Sequence, residues 1–112
     1  DLEEALGNLV ENAAKFARSE VVVRLRPEPV AEGERPMVRI DIDDDGPGLD
    51  EAGMREAMKR GRRLDESKPG TGLGLSIVGE IASEYKGGFA LARAEIGGLS
   101  ARLTLPALIT EA

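Results

Sequence analysis

Residues 37–50, MVRIDIDDDGPGLD, contain the pattern that decides the fold. Apolar and polar side chains alternate along the first half with a period of two, which is typical of a half-buried β-strand. Val38, Ile40 and Ile42 point to one side, and the same period places Asp44 there too. A carboxylate facing a core needs hydrogen-bond donors. Either a ligand amino group supplies them, or the side chain turns into solvent, the usual outcome in an Asp-Gly turn.

The acidic residues of this stretch also imitate a calcium loop. Asp41, Asp43 and Asp45, followed by Gly46, match the first half of an EF-hand loop. The twelfth position should be a bidentate glutamate but is Ala52, and the loop follows a strand where an EF-hand loop follows a helix. Calcium is therefore the lesser interpretation, and we expect these three aspartates to be solvated.

Length, composition and charge exclude several classes of protein. The 112 residues are 41% hydrophobic, which suits a single folded domain. No apolar run is long enough for a membrane span, and no signal peptide opens the sequence. The chain has no cysteine and no histidine, so disulfides, thiolate sites and the usual zinc ligands are excluded. The net charge of −6 argues against a nucleic-acid surface. A helix start at Asp1 suggests an excised domain.

Periodicity predicts seven elements in the order α, β, β, α, α, β, β. They are a helix at 2–18, strands at 20–26 and 37–43, a weak helix at 50–60, a helix at 75–85, and a hairpin of strands 89–95 and 99–105. The predicted buried helix stripes are Leu2, Leu6, Leu9, Val10, Ala13 and Ala17, and Ile77, Val78, Ile81, Ala82 and Tyr85. Separate runs of helices and antiparallel hairpins indicate a two-layer α+β sandwich.

Two further motifs carry candidate chemistry. Asn8, Asn12 and Lys15 stand at i, i+4 and i+7, in one line along the first helix. They are either solvated polar residues or part of a site. KPGTGLGL, residues 68–75, places alternate glycines at a helix start, which favours phosphate. Its spacing fits neither a Walker A loop nor a dinucleotide fingerprint.

Together these motifs suit a purine nucleotide. Asn12 could bind Mg²⁺ through its amide oxygen. Lys15, Arg63 and Lys68 could neutralise phosphates, within a cationic segment that contains Lys59, Arg60, Arg62, Arg63 and Lys68. On charge alone, a solvated helix end and loop is the favoured interpretation of that segment.

The three motifs resemble the boxes of a known family. Residues 8–16 are similar to the N box, 44–49 to the G1 box and 70–75 to the G2 box of the sensor histidine kinase catalytic and ATP-binding domain. That domain has the Bergerat fold, shared with gyrase B and the heat-shock chaperone ATPases. The resemblance implies a mixed, mostly antiparallel sheet covered on one face by helices, and it covers essentially the whole of residues 1–112.

The resemblance also implies cofactors and residue roles. ATP and Mg²⁺ are the implied cofactors, with Asn12 as the metal ligand and Asn8, Asn12 and Lys15 as the catalytic set. The implied ATP contacts are Asn12, Lys15, Phe16, Asp44, Gly46, Gly48, Arg63, Lys68, Gly70, Thr71, Gly72, Leu73 and Gly74. Asp44 would bind the adenine amino group, and the glycines of both G boxes would hinge and contact the lid. The segment 59–70 resembles the lid of PhoQ-type kinases, with Met58 where the family's F box has phenylalanine.

The activity implied by the resemblance is transfer of the ATP γ-phosphate to a histidine. That histidine lies on a separate dimerisation domain of the parent kinase, and a response regulator is the further partner. The parent would be a dimeric inner-membrane sensor, with this domain cytoplasmic and not inserted in the membrane. Strands that precede the N box in the family are absent here. Asn8 stands where ATPases of this fold carry a glutamate that activates water, which favours transfer over hydrolysis.

Two alternatives remain open at the level of the sequence. One is a degenerate module of the same fold that docks onto a response regulator or phosphotransfer partner. The other is an anti-sigma factor serine kinase.

Overall fold

Seven helices and strands form in the predicted order, in a computed structural model that describes residues 2–29, 31–59 and 73–107. They are α1 (Leu2–Phe16), β1 (Val21–Glu28), β2 (Met37–Asp44), α2 (Glu51–Met58), α3 (Leu73–Glu84), β3 (Gly88–Arg93) and β4 (Leu99–Pro106). Three helices lie over a four-stranded sheet, so the predicted α+β sandwich is confirmed.

The sheet has the strand order β1-β2-β4-β3, and every pairing among the described strands is antiparallel. The last strand in the sequence therefore lies in the middle of the sheet, beside β2. β1 is an edge strand. It continues through Pro27 and ends at Glu28, two residues beyond the predicted end. An edge strand can carry proline because one side of its backbone needs no partner strand.

The core lies between the helices and one face of the sheet. α1 packs against α3 and β2. The buried cluster is Ala5, Leu9, Ala13, Ile42, Ala57, Leu75, Val78, Ile81, Ala82, Ala101, Leu103 and Leu105. In the part of the chain that the structure describes, no helix is long and apolar enough to cross a bilayer.

Two residues of the predicted helix stripes are exposed. Val10 is 44% exposed and Ile77 is 40% exposed. Val10 follows the buried Leu9, and Ile77 precedes the buried Val78. Each therefore lies one residue further round its helix than the buried face. Because Ala5, Leu9 and Ala13 already cover the sheet-facing side of α1, the buried stripe is narrower than the sequence predicts.

The outer face of the sheet corrects the expectation that Asp41 and Asp43 are solvated. They are only 3% and 4% exposed. Asp41 accepts two hydrogen bonds from Arg39, at 2.7 and 3.0 Å, and pairs with Arg26 at 3.5 Å. Asp43 pairs with Arg24 at 3.3 Å. The strand period directs both carboxylates away from the helices, and long arginine side chains of β1 and β2 cover them.

Candidate functional site

A cavity of about 260 Å³ opens at the end of β2, on the side of the sheet that the helices cover. The last turns of α1, the loop after β2, both remaining helices and the start of β4 contribute to it. Its lining residues are Asn12, Phe16, Asp44, Pro47, Gly48, Leu49, Gly53, Ala57, Leu75 and Leu99. Among the described residues, the lining is mostly apolar and has two polar side chains, Asn12 and Asp44. The volume lies just under the roughly 300–1,000 Å³ of pockets for drug-sized ligands, so it suits one flat ring system.

Asp44 is buried in the wall of this cavity, with 4% of its surface exposed. It is the last residue of β2 and lies on the helix-covered side, as the strand period predicts. Its Oδ1 accepts hydrogen bonds from the backbone N–H of Gly46, at 2.8 Å, and of Leu99, at 3.3 Å. Within the described residues, Oδ2 accepts none. The carboxylate is thus held through one oxygen, and the other is left for a donor in the cavity.

The turn between β3 and β4 contacts Asp44 directly. The N–H of Gly98 donates to the carbonyl oxygen of Asp44 at 3.1 Å. A Cβ atom built on Gly98 would overlap Oδ1 and the carbonyl oxygen of Asp44, so only glycine fits there. The sequence pattern predicts a turn at this place. It gives no signal for the contact, which joins residues more than fifty positions apart.

The two glycines of the loop after β2 have different surroundings. Gly48 lines the cavity and has a φ of +71°, a conformation that favours glycine. Gly46 is buried behind the cavity wall and does not line it. A Cβ on Gly46 would overlap the carbonyl oxygen of Phe16. Gly46 therefore allows the end of α1 to approach the loop, whereas the resemblance implied that it contacts ATP.

The polar line of α1 only partly reaches the cavity. Asn12 is half-buried and lines it, and Phe16, which is 38% exposed, lies four residues further on and lines it too. Asn8 is half-buried and Lys15 is exposed, and neither contributes to the lining. The structure thus brings Asn12 and Phe16 together with Asp44 and leaves Asn8 and Lys15 outside the cavity itself.

Several predicted site residues lie outside the described part of the chain. They are Arg63, Lys68, Gly70, Thr71 and Gly72. Leu73 and Gly74 belong by backbone to the first turn of α3. Met58 is the last residue of α2 and is half-buried away from the cavity. Lys59, the first cation of the predicted cationic segment, pairs with Glu56 at 2.8 Å.

Asp45 is half-buried and hydrogen-bonded, which corrects the expectation that it is solvated. Its carboxylate accepts hydrogen bonds from the backbone and side chain of Ser19 and from the backbone N–H groups of Arg18 and Glu20. The Ser19 backbone and hydroxyl donors, with smaller contributions from Glu20 and Arg18, lower the pKa of Asp45 well below its ordinary range. Asp45 therefore stays ionised at neutral pH.

This lowered pKa predicts a pH dependence of stability. In the unfolded chain an aspartate binds a proton at a pKa of about 3.9, whereas native Asp45 is still ionised there. Its contribution is fully present above about pH 3.9 and is lost as the pH falls toward the lower native pKa. We expect the gap in unfolding free energy between the native chain and Asp45→Asn to be constant above about pH 5 and to shrink below about pH 4. Urea denaturation across this range measures the gap, and a gap that persists in strong acid would contradict the assignment.

Comparison with known proteins extends these observations. Residues 1–109 match the family model described as "Histidine kinase-, DNA gyrase B-, and HSP90-like ATPase". The chain is 47% identical over 106 residues to the sensor protein kinase CarS of Pseudomonas aeruginosa. The match covers 95% of this chain and 22% of CarS. It is 34% identical over 102 residues to the two-component sensor PhoQ of the same organism, covering 91% of this chain and 21% of PhoQ. The chain thus spans about a fifth of the length of these curated relatives.

A solved structure shows the same architecture. The mycobacterial sensor histidine kinase MprB superposes with a TM-score of 0.71 at 28% sequence identity, over 94% of this chain and 69% of the MprB chain. The similarity therefore includes the order of strands and helices that encloses the cavity.

Proposed function

Since the chain belongs to the family of histidine kinase-, DNA gyrase B- and HSP90-like ATPases, we propose that it is the ATP-binding catalytic part of a sensor histidine kinase. In this proposal it binds ATP with Mg²⁺ and presents the γ-phosphate to a histidine on a separate dimerisation domain of the parent protein. A response regulator would then receive the phosphoryl group. The parent would be an inner-membrane sensor that acts as a dimer, with this part in the cytoplasm.

The observation that carries the proposal is the buried carboxylate of Asp44 in an apolar cavity. Oδ1 accepts hydrogen bonds from two backbone N–H groups, and Oδ2 is available to accept a hydrogen bond from the exocyclic amino group of adenine. Phe16, Leu75 and Leu99 offer apolar surface for the faces of the ring. A purine with an oxygen at the same position has an acceptor where this site needs a donor, so adenine is favoured over guanine.

The cavity has room for the base, and the phosphates therefore lie outside it. Asn12 is at the cavity wall, and its amide oxygen is a ligand type that Mg²⁺ accepts. The described residues contain no group of three or more histidine, cysteine or acidic side chains that could hold a metal. This fits a Mg²⁺ ion that takes most of its ligands from the nucleotide phosphates and water, with Asn12 as the protein ligand. When bound, Mg²⁺ neutralises phosphate charge and orients the phosphates for in-line transfer.

The remaining residues would act by position and charge. We place Lys15, Arg63 and Lys68 at the phosphates. Residues 70–74 include the first residues of α3, and we propose that their backbone N–H groups bind a phosphate oxygen. Asn8 cannot accept a proton, so it does not activate water. The sequence contains no histidine, so the nucleophile comes from another domain. The bond from the γ-phosphorus to the bridging oxygen of ADP breaks, and a phosphorus–nitrogen bond forms on the histidine of the dimerisation domain.

Calorimetric titration with AMPPNP in the presence and absence of Mg²⁺ tests nucleotide binding. We expect binding that Mg²⁺ strengthens in the native chain, and a loss of this strengthening in Asn12→Ala. Glu11→Gln is the matched control, because Glu11 is exposed on α1 beside Asn12 and does not line the cavity. If the native chain does not bind AMPPNP, the proposal fails.

Transfer is tested with labelled ATP and a histidine-containing dimerisation domain from a sensor histidine kinase. The label should move to that domain and should not move when its histidine is replaced. Label on a serine-containing partner would indicate the serine kinase alternative. AMPPNP binding without any transfer would indicate a docking module, and rapid ATP hydrolysis by the chain alone would contradict the role of Asn8.

A further inference from the structure

Asp45 is placed to connect the end of α1 with the loop after β2, next to the point where Val21 of β1 pairs with Asp44. It directly follows Asp44, and its side chain reaches the connection between α1 and β1. Oδ1 accepts hydrogen bonds from the backbone N–H groups of Arg18, Ser19 and Glu20, at 2.7, 3.0 and 3.1 Å. Oδ2 accepts from the hydroxyl of Ser19 at 2.8 Å. Three consecutive backbone donors thus converge on one carboxylate.

In the segment between α1 and β1, the N–H of Ala17 donates to the carbonyl oxygen of Ala13, and the next three N–H groups donate to Asp45. Residues 17–20 lie between the end of α1 and the start of β1. Their N–H groups need acceptors, and an ionised carboxylate gives charge-assisted hydrogen bonds, which are stronger than neutral ones. The hydrogen bonds keep the pKa of Asp45 low, so this acceptor is present throughout the physiological pH range.

A second contact holds the same junction. Gly46 lies against the carbonyl oxygen of Phe16 so closely that a Cβ atom would overlap it. Asp45 therefore bonds to the connection after α1, and Gly46 lies in close contact with the last turn of α1 that precedes it. That last part of α1 contributes Asn12 and Phe16 to the cavity, opposite Asp44.

We propose that Asp45 is a positioning residue for the nucleotide site, which ties the end of α1 to the loop after β2 and so sets the distance from Asn12 and Phe16 to Asp44. The inference rests on the proposed ATP site. Asp45 itself does not line the cavity. Its effect is exerted through the backbone of residues 16–20, so its loss widens or tilts the cavity without removing any group that contacts the base.

Four variants test the proposal. Asp45→Ala removes every hydrogen bond. Asp45→Asn keeps one carbonyl oxygen for the three backbone donors, and its amide can donate to the Ser19 hydroxyl. Ser19→Ala removes the hydroxyl donor alone. Glu95→Ala is the charge-matched control, because Glu95 is exposed in the turn between β3 and β4 and does not line the cavity.

The measurement is calorimetric affinity for AMPPNP with Mg²⁺ and for adenosine, well below the unfolding temperature of each variant. We expect about a tenfold or greater loss in Asp45→Ala for both ligands, since displacement of a wall by about 1 Å is costly. Asp45→Asn should restore most of the affinity, and Ser19→Ala and Glu95→Ala should be close to native. Rescue by asparagine and a matching loss for adenosine distinguish positioning of the base cavity from a general loss of stability.

The outcomes separate this inference from the proposed function. Native affinity in folded Asp45→Ala overturns the role of Asp45 and leaves the ATP site standing. If Asp45→Ala does not fold, Asp45→Ser, which keeps one hydroxyl acceptor, should bind with an intermediate loss, and native affinity there overturns the proposal. If the native chain binds no nucleotide, the proposed function fails. The positioning role of Asp45 is then judged by amide NMR, and unchanged Asn12 and Phe16 resonances in Asp45→Ala, or in Asp45→Ser if Asp45→Ala does not fold, would overturn it.

Discussion

Replacing Asp44 with asparagine is expected to weaken ATP binding about 10- to 100-fold while the fold is retained. The asparagine oxygen can keep the position of Oδ1 and accept from the N–H groups of Gly46 and Leu99. The amide nitrogen then takes the position of Oδ2. It places a donor against the adenine amino group, so a charge-assisted hydrogen bond is replaced by two opposed donors. Calorimetry with AMPPNP and urea denaturation measure affinity and stability separately.

Asp43→Asn is the matched control for this change. Asp43 is the neighbouring residue and is equally buried, but it lies on the outer face and pairs with Arg24. It should lose stability without losing ATP affinity. A further test uses inosine triphosphate, whose exocyclic carbonyl oxygen, in the place of the adenine amino group, can accept from the new amide. Asp44→Asn should therefore reduce the preference for ATP over inosine triphosphate, and native ATP affinity in this variant would contradict the role of Asp44.

Gly98→Ala is expected to have the largest effect on stability. The added methyl group would overlap Oδ1 and the carbonyl oxygen of Asp44 and crowd the N–H of Gly46. These are mostly backbone atoms in a buried junction, so they cannot move aside cheaply. Overpacking of this kind costs about 1–3 kcal/mol, and more where backbone has to shift. For a domain of this size that corresponds to a fall in Tm of roughly 4–20 °C. ATP binding should be lost with it, because the shift displaces Asp44.

Gly88→Ala provides the comparison. Gly88 begins β3, and a Cβ atom there would meet no heavy atom within 4 Å. Thermal unfolding followed by circular dichroism should give a nearly native Tm for this variant. A nearly native Tm for Gly98→Ala would show that the turn between β3 and β4 does not pack against Asp44 in the way described.

The local parts of the fold and site could be predicted from sequence. The period of two in residues 37–44 placed Asp44 on the core side, because side-chain direction along a strand depends only on that strand. Helical spacing placed Asn8, Asn12 and Lys15 in one line along α1 for the same reason, and of these Asn12 lines the cavity, whereas Phe16 was implied only by the family resemblance. The order of the elements followed from periodicity and turn residues, and their ends differ from the predicted ends by about two residues.

The parts that could not be predicted depend on which strands become neighbours. Asp41 and Asp43 are buried because arginines of β1 and β2 cover them, and a single strand pattern does not show which side chains lie across from it. Asp45 binds residues 18–20, and Leu99 binds Asp44. Both contacts join distant parts of the sequence and leave no local pattern. Exposure of Val10 depends on how α1 is rotated over the sheet, which tertiary packing decides.

The central position of β4 has a consequence for biosynthesis. The ribosome makes β4 last among the described strands, yet the sheet needs it between β2 and β3. Before it emerges, β1 and β2 form a hairpin, β3 has no neighbour, and Asp44 lacks Gly98 and Leu99. The nascent chain can form local structure from its N-terminal end, but long-range strand pairing comes late. We therefore expect the chain to become competent to bind nucleotide in a single late step, when its last strand inserts into the middle of the sheet.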